Sequence, residues 1–234
     1  CALPISDDNS ILSARKTIED VITELKLDCN NMINWCNLNH MPANPAKFQS
    51  IFSTVDNISL TVCDHTITST DSVVLLGVTI NNKMSFSQHI AQICLKAGRQ
   101  LNALRRIASA LDITSKLMIY TAFILSNFNY CPIVWHNCGK TDSTKLEKLQ
   151  YRALKLVFND YSSSYEDLLI RANMPTLEIR RLCLVAIETF KILNYLSPPN
   201  LNNLVTKKWT PYNLRNSSSL QRSCSRDRKS TRLN

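Results

Sequence analysis

The sequence predicts an α+β protein in which a small antiparallel β-sheet with one helix is followed by an all-α helical bundle. Apolar residues recur at helical spacing in an opening segment, alternate with polar residues near position 60, and return to helical spacing from about residue 82 almost to Pro198. With 234 residues, of which 44% are hydrophobic, the chain can bury a sizeable core.

Composition excludes several classes of protein. Three glycines and eight prolines without a repeat exclude collagen-like and linker-like chains. No run of eighteen apolar residues and no basic-then-apolar leader is found, so neither a membrane span nor a secretory signal is predicted. The nine cysteines are scattered, which favours reduced thiols over a disulfide framework. We therefore expect an intracellular protein, nuclear or cytoplasmic, without a membrane partner.

The two ends are expected to be translated sequencing adapter rather than natural protein. Asp227–Thr231 can be encoded by GAT CGG AAG AGC ACA, whose reverse complement encodes Cys1–Ile5. An inverted repeat of this length is very improbable by chance. We therefore leave residues 1–5 and 227–234 out of the fold prediction.

An amphipathic helix is predicted from Ser13 to about His40. Ser13 is the expected N-cap, and Pro42 and Pro45 are expected to end the helix. Its apolar positions follow the i, i+3, i+4, i+7 pattern at Ile18, Val21, Ile22, Leu25, Cys29, Met32, Ile33 and Cys36.

Strands are predicted next. Ile58, Leu60 and Val62 alternate with polar residues, Cys63-Asp64-His65 can turn the chain, and Val73–Ile80 is a β-branched run interrupted only by Gly77. These features predict one small antiparallel sheet.

Five helices are predicted in the second half. They are expected to run from Ser85 to near Asp112, from about Thr114 to Asn127, onward from Thr144, over about 165–173, and over about 177–196. Capping boxes are expected at two starts, Ser85 with Gln88 and Thr144 with Glu147, and Ser163 and Glu166 stand at the start of the fourth helix. The helix that starts at Thr144 is expected to carry Leu146, Leu149, Ala153, Leu156 and Val157 inward. The last helix is expected to bury Ile179, Leu182, Ala186, Ile187, Phe190 and Leu193.

Charge is divided unevenly along the chain. The net charge is +9, but residues 1–80 hold four Lys and Arg against nine Asp and Glu, a balance of −5 that leaves +14 for the rest. An acidic part could hold metal ions and a basic part could bind phosphates. The alternative is a surface with uneven, solvated charge.

Basic residues in the predicted helices are candidate nucleic-acid contacts. Lys145, Lys148, Arg152 and Lys155 fall at i, i+3, i+7 and i+10, on one narrow arc of a helix. Further positive charge is contributed by Lys96, Arg99, Arg105, Arg106 and Lys116. Such an arc could bind phosphates independently of base sequence, and the alternative is an ordinary solvated helix face.

Asp7-Asp8 could hold divalent metal for phosphoryl transfer, because neighbouring carboxylates need a cation to neutralise them. The alternative is a favourable interaction with the dipole of the following helix. Among the other candidates, aromatic residues could stack on bases but are more typical of a core, and a C-x4-H-x-C group lacks the fourth ligand of a zinc site. The aromatic residues are Tyr130, Trp135 and Tyr151, and the possible zinc ligands are Cys131, His136 and Cys138.

Eight motifs in order resemble the last palm motifs and the thumb of reverse transcriptases of jockey-like LINE (non-LTR) retrotransposons, over nearly all of residues 6–221. The palm-like motifs are Asp7-Asp8-Asn9-Ser10, Met41–Phe48 and Val74-Leu75-Leu76-Gly77-Val78. The downstream motifs are His89-Ile90, Leu104-Arg105-Arg106, Phe128–Trp135, Leu149–Leu154 and Tyr212–Arg215. In contrast, Ile5-Ser6 stands where the family has an aromatic residue and Ala, a difference we attribute to the adapter junction.

The resemblance implies roles for individual residues. Asp7 and Asp8 would be the acidic pair that binds Mg²⁺, with Asp7 the principal ligand. Lys47, with Asn44, would lie near the phosphates of the incoming nucleotide. Gly77 would lie in the primer-grip turn, where glycine lets the backbone approach the primer end.

The implied organisation is the end of a palm over residues 6–81, a helical thumb with its extension over 82–199, and a loose C-terminal segment over 200–226. The intact parent would copy an RNA template from a DNA primer with deoxynucleoside triphosphates. Since fingers and another metal-binding Asp are expected before Asp7, this 234-residue chain alone is predicted to be inactive in primer extension. The alternatives are a decayed copy that acts only as a nucleic-acid-binding helical module, and a protein-interaction bundle.

Overall fold

A computed structural model of the chain describes residues 9–53, 58–62, 65–201, 206–207 and 220–221. The chain divides into two compact units, residues 1–95 and 96–234. Helices and short antiparallel sheets are both present, so the predicted mixed α+β class is confirmed.

The first unit is built on helix α1, Ile18–Leu38. Its N-cap is Thr17, whose hydroxyl oxygen accepts a hydrogen bond from the amide of Asp20 at 3.2 Å. The predicted cap at Ser13 is wrong, because the Ser13 hydroxyl donates to the carboxylate of Glu24 instead. The inner face of α1 buries Ile33, which packs with apolar side chains of the first strand.

Two separate hairpins replace the single predicted sheet. Strands β1 (Ser59–Val62) and β2 (His65–Thr68) form the first hairpin, and β3 (Ser72–Leu75) and β4 (Val78–Asn81) form the second. The run Val73–Ile80 folds back on itself because Leu76 and Gly77 both have positive φ, at 46° and 78°. This pair of angles is typical of a two-residue type I′ turn. Of the turn predicted after β1, residues 63 and 64 lie outside the described residues, and His65 begins β2.

Replacing Leu76 with Asn is expected to stabilise the β3–β4 hairpin by about 1 kcal/mol, because Asn tolerates the left-handed conformation that costs Leu free energy. The Asn-Gly pair is also the preferred sequence for this turn. Amide hydrogen exchange within β3 and β4 would measure the change. The matched variant Gly77→Ala should destabilise the hairpin, and equal exchange rates in the two variants would contradict this description of the turn.

The second unit is predominantly helical, as predicted. Its helices are α2 (Ser87–Ile107, which begins in the first unit), α3 (Ile113–Ile119), α4 (Leu125–Asn129), α5 (Pro132–Trp135), α6 (Lys140–Phe158), α7 (Tyr165–Ala172) and α8 (Leu177–Leu193). A π-helical turn, Tyr120–Ile124, joins α3 to α4. A further short pairing joins β5 (Thr206–Lys207) to β6 (Leu220–Gln221).

The core of the second unit forms around α6. Helix α6 contacts α3, α7 and α8, and α5 contacts α8. The largest fully buried side chains of this unit are Trp135, Tyr120, Phe128, Leu101, Leu125, Leu146, Leu154, Leu168, Leu177 and Gln150. The predicted inward face of α6 is confirmed by the burial of Leu146, Ala153, Leu156 and Val157, and the fifth predicted residue, Leu149, is half-buried.

Three of the predicted helix starts are displaced. Helix α2 begins at Ser87 rather than Ser85. Helix α7 is capped by Ser164, one residue later than predicted, and its hydroxyl oxygen accepts from the amide of Asp167 at 3.2 Å. Helix α6 begins already at Lys140, so Thr144 lies inside the helix and its hydroxyl donates to the carbonyl of Lys140.

Helix α8 has the opposite orientation to the one predicted. Its buried residues are Leu177 and Arg181. Of the residues predicted to be buried, Leu193 is half-buried and the others are exposed, namely Ile179, Leu182, Ala186, Ile187 and Phe190. The reason is that its contacts with α5 and α6 lie on the Arg181 side of the helix.

Candidate nucleic-acid interface

The four predicted basic residues of α6 share one face of the helix, which we call the outer arc: Lys145, Lys148, Arg152 and Lys155. At 3.6 residues per turn they fall within about 80° of the helix circumference. Lys145, Lys148 and Arg152 are exposed and Lys155 is half-buried. Because apolar side chains anchor the other side of α6 in the core, the outer arc is a fixed row of positive charge.

Two members of the outer arc are not paired with acids. Lys145 forms an ion pair with Asp142 at 2.7 Å. Lys148 and Arg152 form no ion pair with any residue that the structure describes. Their positive charges are therefore available to an anionic ligand.

Lys155 is held by an aromatic ring. Its Nζ lies 4.1 Å from the centroid of the Tyr151 ring, in a cation–π contact. The Tyr151 hydroxyl donates to the carbonyl of Ser163 at 2.9 Å, which fixes the ring against the loop before α7. Tyr151 is therefore a supporting residue of the outer arc.

Lys140 extends the basic surface and was missed by the sequence analysis. With Thr141, Thr144, Lys145 and Lys148 it lines a shallow depression of about 460 Å³ on the first turns of α6. The signal that could have found it is the spacing, since Lys140 precedes Lys148 by eight residues, close to two helical turns.

Helix α2 carries the other predicted contacts. Lys96, Arg99 and Arg106 fall on one face of the helix, and Arg105 lies about 100° away from Arg106 around the axis. All four are exposed, and none forms an ion pair within the described part of the chain. Lys116, in contrast, is buried, so the expectation that it adds to the basic surface is wrong.

Glu147 braces α6 against its neighbours. Its carboxylate accepts hydrogen bonds from the amides of Leu177 and Glu178, at 3.2 and 2.8 Å, and so caps α8. It also accepts from the Tyr165 hydroxyl at 2.5 Å. Burial, followed by this hydrogen bond, raises the pKa of Tyr165, so the phenol stays protonated and donates. No local pattern in the sequence indicates a cap that acts across thirty residues.

Two arginines of α8 fix that helix to the scaffold. The Arg181 guanidinium donates to the Ser143 hydroxyl at 2.8 Å and lies 5.5 Å from the centroid of the buried Trp135 ring. Arg180 donates to the side-chain oxygen of Asn129 at 2.9 Å. These two arginines therefore have a structural role and do not belong to the outer arc.

The loop before α7 is ordered by one carboxylate. Asp160 accepts hydrogen bonds from the hydroxyls and amides of Ser162 and Ser163 and forms an ion pair with Arg171 at 2.6 Å. The hydrogen bonds from Ser163, and then those from Ser162, hold the pKa of Asp160 well below its ordinary value. This acid is thus engaged locally and does not neutralise the outer arc.

The palm-like residues are only partly described. Asp7 and Asp8, the predicted catalytic pair and Mg²⁺ ligands, lie outside the described residues. Lys47 is exposed at the end of the short 3₁₀ turn Pro45–Lys47. Nearby, Asn44 and Phe48 line a depression of about 440 Å³ together with residues of β2. Gly77 lies in the exposed turn between β3 and β4.

The remaining candidate ligands do not form a site. Within the described ranges, no three His, Cys, Asp or Glu side chains form a group that could hold a metal ion. Cys131, His136 and Cys138 therefore do not form a metal site. Trp135 is fully buried, which is consistent with a core role, and Tyr130 is half exposed. None of the described helices is both long and apolar enough to span a lipid bilayer.

Comparison with models of protein families, with curated proteins and with solved structures found no match to this chain.

Proposed function

We propose that the chain is part of an RNA-directed DNA polymerase of the non-LTR retrotransposon type, in which the helical unit grips a nucleic-acid duplex. The observation that carries the proposal is the outer arc, where Lys148 and Arg152 are exposed, lack an ion pair among the described residues, and lie in line with Lys145 and Lys155. Phosphates repeat regularly along a duplex, so a straight row of cations can contact several of them at once.

The charge balance of the helical unit supports binding to a polyanion. Between residues 96 and 201 there are fourteen Lys and Arg and eight Asp and Glu. Several of these acids are already engaged: Asp142, Asp160 and Glu188 in ion pairs, and Glu147 in the cap of α8. The same ion pairs engage Lys145, Arg171 and Lys191, so the excess of six positive charges (14 − 8) in this range is unchanged by them. Such an excess favours phosphate contacts independent of base sequence.

The polymerase part of the proposal depends on the motif resemblance. In it, Asp7 and Asp8 hold Mg²⁺, Lys47 lies near the phosphates of the nucleotide, and Gly77 contacts the primer strand. The metal would supply charge stabilisation for phosphoryl transfer. Sequencing the locus upstream of residue 6 tests this part: an open frame that encodes fingers and an earlier metal-binding Asp is expected, and early stop codons would favour a decayed, binding-only copy.

Duplex binding is tested by salt dependence. The affinity of the chain for a fluorescent RNA–DNA duplex, measured by anisotropy over a range of KCl concentrations, is expected to give a linear plot of log K against log salt. Four contacts from the outer arc alone would give a slope of about −3.6 on the scale of B-form DNA. A slope near zero, or no binding at low salt, would overturn the proposal.

A further inference from the structure

The outer edge of β4 is closed by side chains from the first turns of α2. Thr79 pairs with Val74 across the hairpin, next to the pair Leu75 and Val78 that closes the turn. Because hydrogen-bonded and non-hydrogen-bonded pairs alternate in an antiparallel ladder, the amide of Thr79 points away from β3. It donates to Nδ1 of His89 at 3.3 Å, and the Thr79 hydroxyl donates to the side-chain oxygen of Gln92 at 2.7 Å.

This contact is buried, whereas the tip of the hairpin is exposed. Thr79 and His89 are 2% and 3% exposed, and Val78 and Ile90 beside them are also buried. Leu76 is 62% exposed, and Gly77 next to it also faces solvent. The hairpin is thus anchored along one edge while its turn projects into solvent.

We propose that His89 and Gln92 are positioning residues, which fix the β3–β4 hairpin on α2 and thereby hold the Leu76–Gly77 turn where the end of a primer strand binds. The proposal rests on the proposed function, which gives that turn its ligand. We call the hydrogen bonds from Thr79 to His89 and Gln92 the anchor, and it depends only on these contacts between α2 and β4.

The chemistry of the anchor makes it sensitive to acid. Nδ1 can accept a hydrogen bond only from the neutral imidazole, whose proton is then on Nε2. Burial lowers the pKa of His89 below its ordinary value of 6.5. The stabilisation by this hydrogen bond is therefore complete above the pKa that His89 has in the unfolded chain. It is lost as the pH falls through the lower pKa that His89 has in the folded chain. The charged side chains nearest in sequence to β3, β4 and the first turns of α2 are Asp71, Lys83 and Lys96, and all three are exposed.

Two variants of the full chain separate the anchor from general packing. His89→Asn places an acceptor oxygen at the position of Nδ1 but cannot titrate, whereas His89→Leu removes the acceptor and leaves the Thr79 amide buried without it. The protection factor of the Thr79 amide at pH 7 should be retained in His89→Asn and should fall about tenfold or more in His89→Leu. As the pH is lowered stepwise below 6.5, the protection should fall in the wild type and persist in His89→Asn. Equal protection in all three proteins, or an equal acid response of the wild type and His89→Asn, would overturn the anchor.

The second readout is photo-crosslinking from 4-thiothymidine at the primer 3′ end of an RNA–DNA duplex, with the crosslinked peptides mapped by mass spectrometry. Crosslinks to residues 74–77 are expected at pH 7 in the wild type and in His89→Asn, and several-fold fewer in His89→Leu. Duplex binding without crosslinks to 74–77 in any variant would overturn the positioning role while leaving the anchor. No duplex binding at all would overturn the proposed function and with it that role, and the exchange data would still decide whether the anchor exists.

Discussion

A variant in which all four residues of the outer arc are changed to Glu is expected to bind a duplex on the order of a thousandfold more weakly at low salt. The four changes are Lys145→Glu, Lys148→Glu, Arg152→Glu and Lys155→Glu. The reason is that each lysine or arginine that neutralises a phosphate releases condensed counterions, and the reversed charges would also repel the duplex. The slope of log K against log salt should fall in magnitude by about 3.6, which corresponds to the loss of four contacts. Anisotropy titrations over a range of KCl concentrations measure both quantities.

The matched control for this variant reverses four basic residues of the first unit, Arg15, Lys16, Lys26 and Lys83, so that the change in net charge is identical. This control should lose much less affinity and should keep the slope of the wild type. Circular dichroism and thermal unfolding would confirm that both variants are folded. If both variants lost the same affinity, binding would follow net charge alone and the outer arc would not be the site.

Replacing Glu147 with Ala is expected to lower the free energy of unfolding by about 2–4 kcal/mol. The change leaves the Tyr165 hydroxyl and the amides of Leu177 and Glu178 without their acceptor. The hydrogen bonds from Tyr165 and Leu177 are partly buried, and donors shielded from water are costly to leave without partners, whereas the hydrogen bond from Glu178 is exposed. Loss of a helix cap alone costs about 1 kcal/mol. Urea unfolding monitored by circular dichroism would measure the effect.

Three further variants show whether the Glu147 network is responsible. Glu166→Ala removes an exposed acid from the first turn of α7 and should cost less than about 1 kcal/mol. Tyr165→Phe removes one of the three hydrogen bonds, and its effect should not add to that of Glu147→Ala, since both changes break the same contact. Glu147→Gln keeps an acceptor oxygen, so its free energy of unfolding should lie between those of the wild type and Glu147→Ala. If Glu147→Ala were no less stable than Glu166→Ala, the bracing role of Glu147 would be contradicted.

Much of the fold follows from local patterns in the sequence. The helical periodicity around Ile33 and Leu146 predicts α1 and α6 and identifies their buried faces, because burial of one face requires apolar residues every three or four positions. The outer arc is predicted for the same reason, since residues at i, i+3 and i+7 must share a face wherever the helix packs.

The errors arise where distant residues decide the outcome. Glu147 satisfies a local capping rule with Thr144, yet it caps α8 because the fold brings that helix terminus to it. Arg181 is polar but lies inward, where its guanidinium donates a hydrogen bond to Ser143 and contacts the Trp135 ring. With Arg181 inward, the apolar side of α8 faces outward. A pattern within one segment cannot reveal such partners.

The β-structure shows a third limit of local patterns. The run Val73–Ile80 has the composition of one strand, and only the conformations of Leu76 and Gly77 divide it into two. Leu is an unusual residue at positive φ, so turn preferences do not indicate a hairpin at this position.

Lysine footprinting tests the central claim most directly, because it reports on individual side chains of the unaltered protein. The chain is acetylated briefly with and without a saturating RNA–DNA duplex, and modification at each lysine is measured by mass spectrometry. Lys145, Lys148 and Lys155 are expected to be protected several-fold by the duplex, whereas Lys16 and Lys83 should react equally in both samples. Protection of Lys16 and Lys83 with unchanged reactivity along α6 would contradict the account.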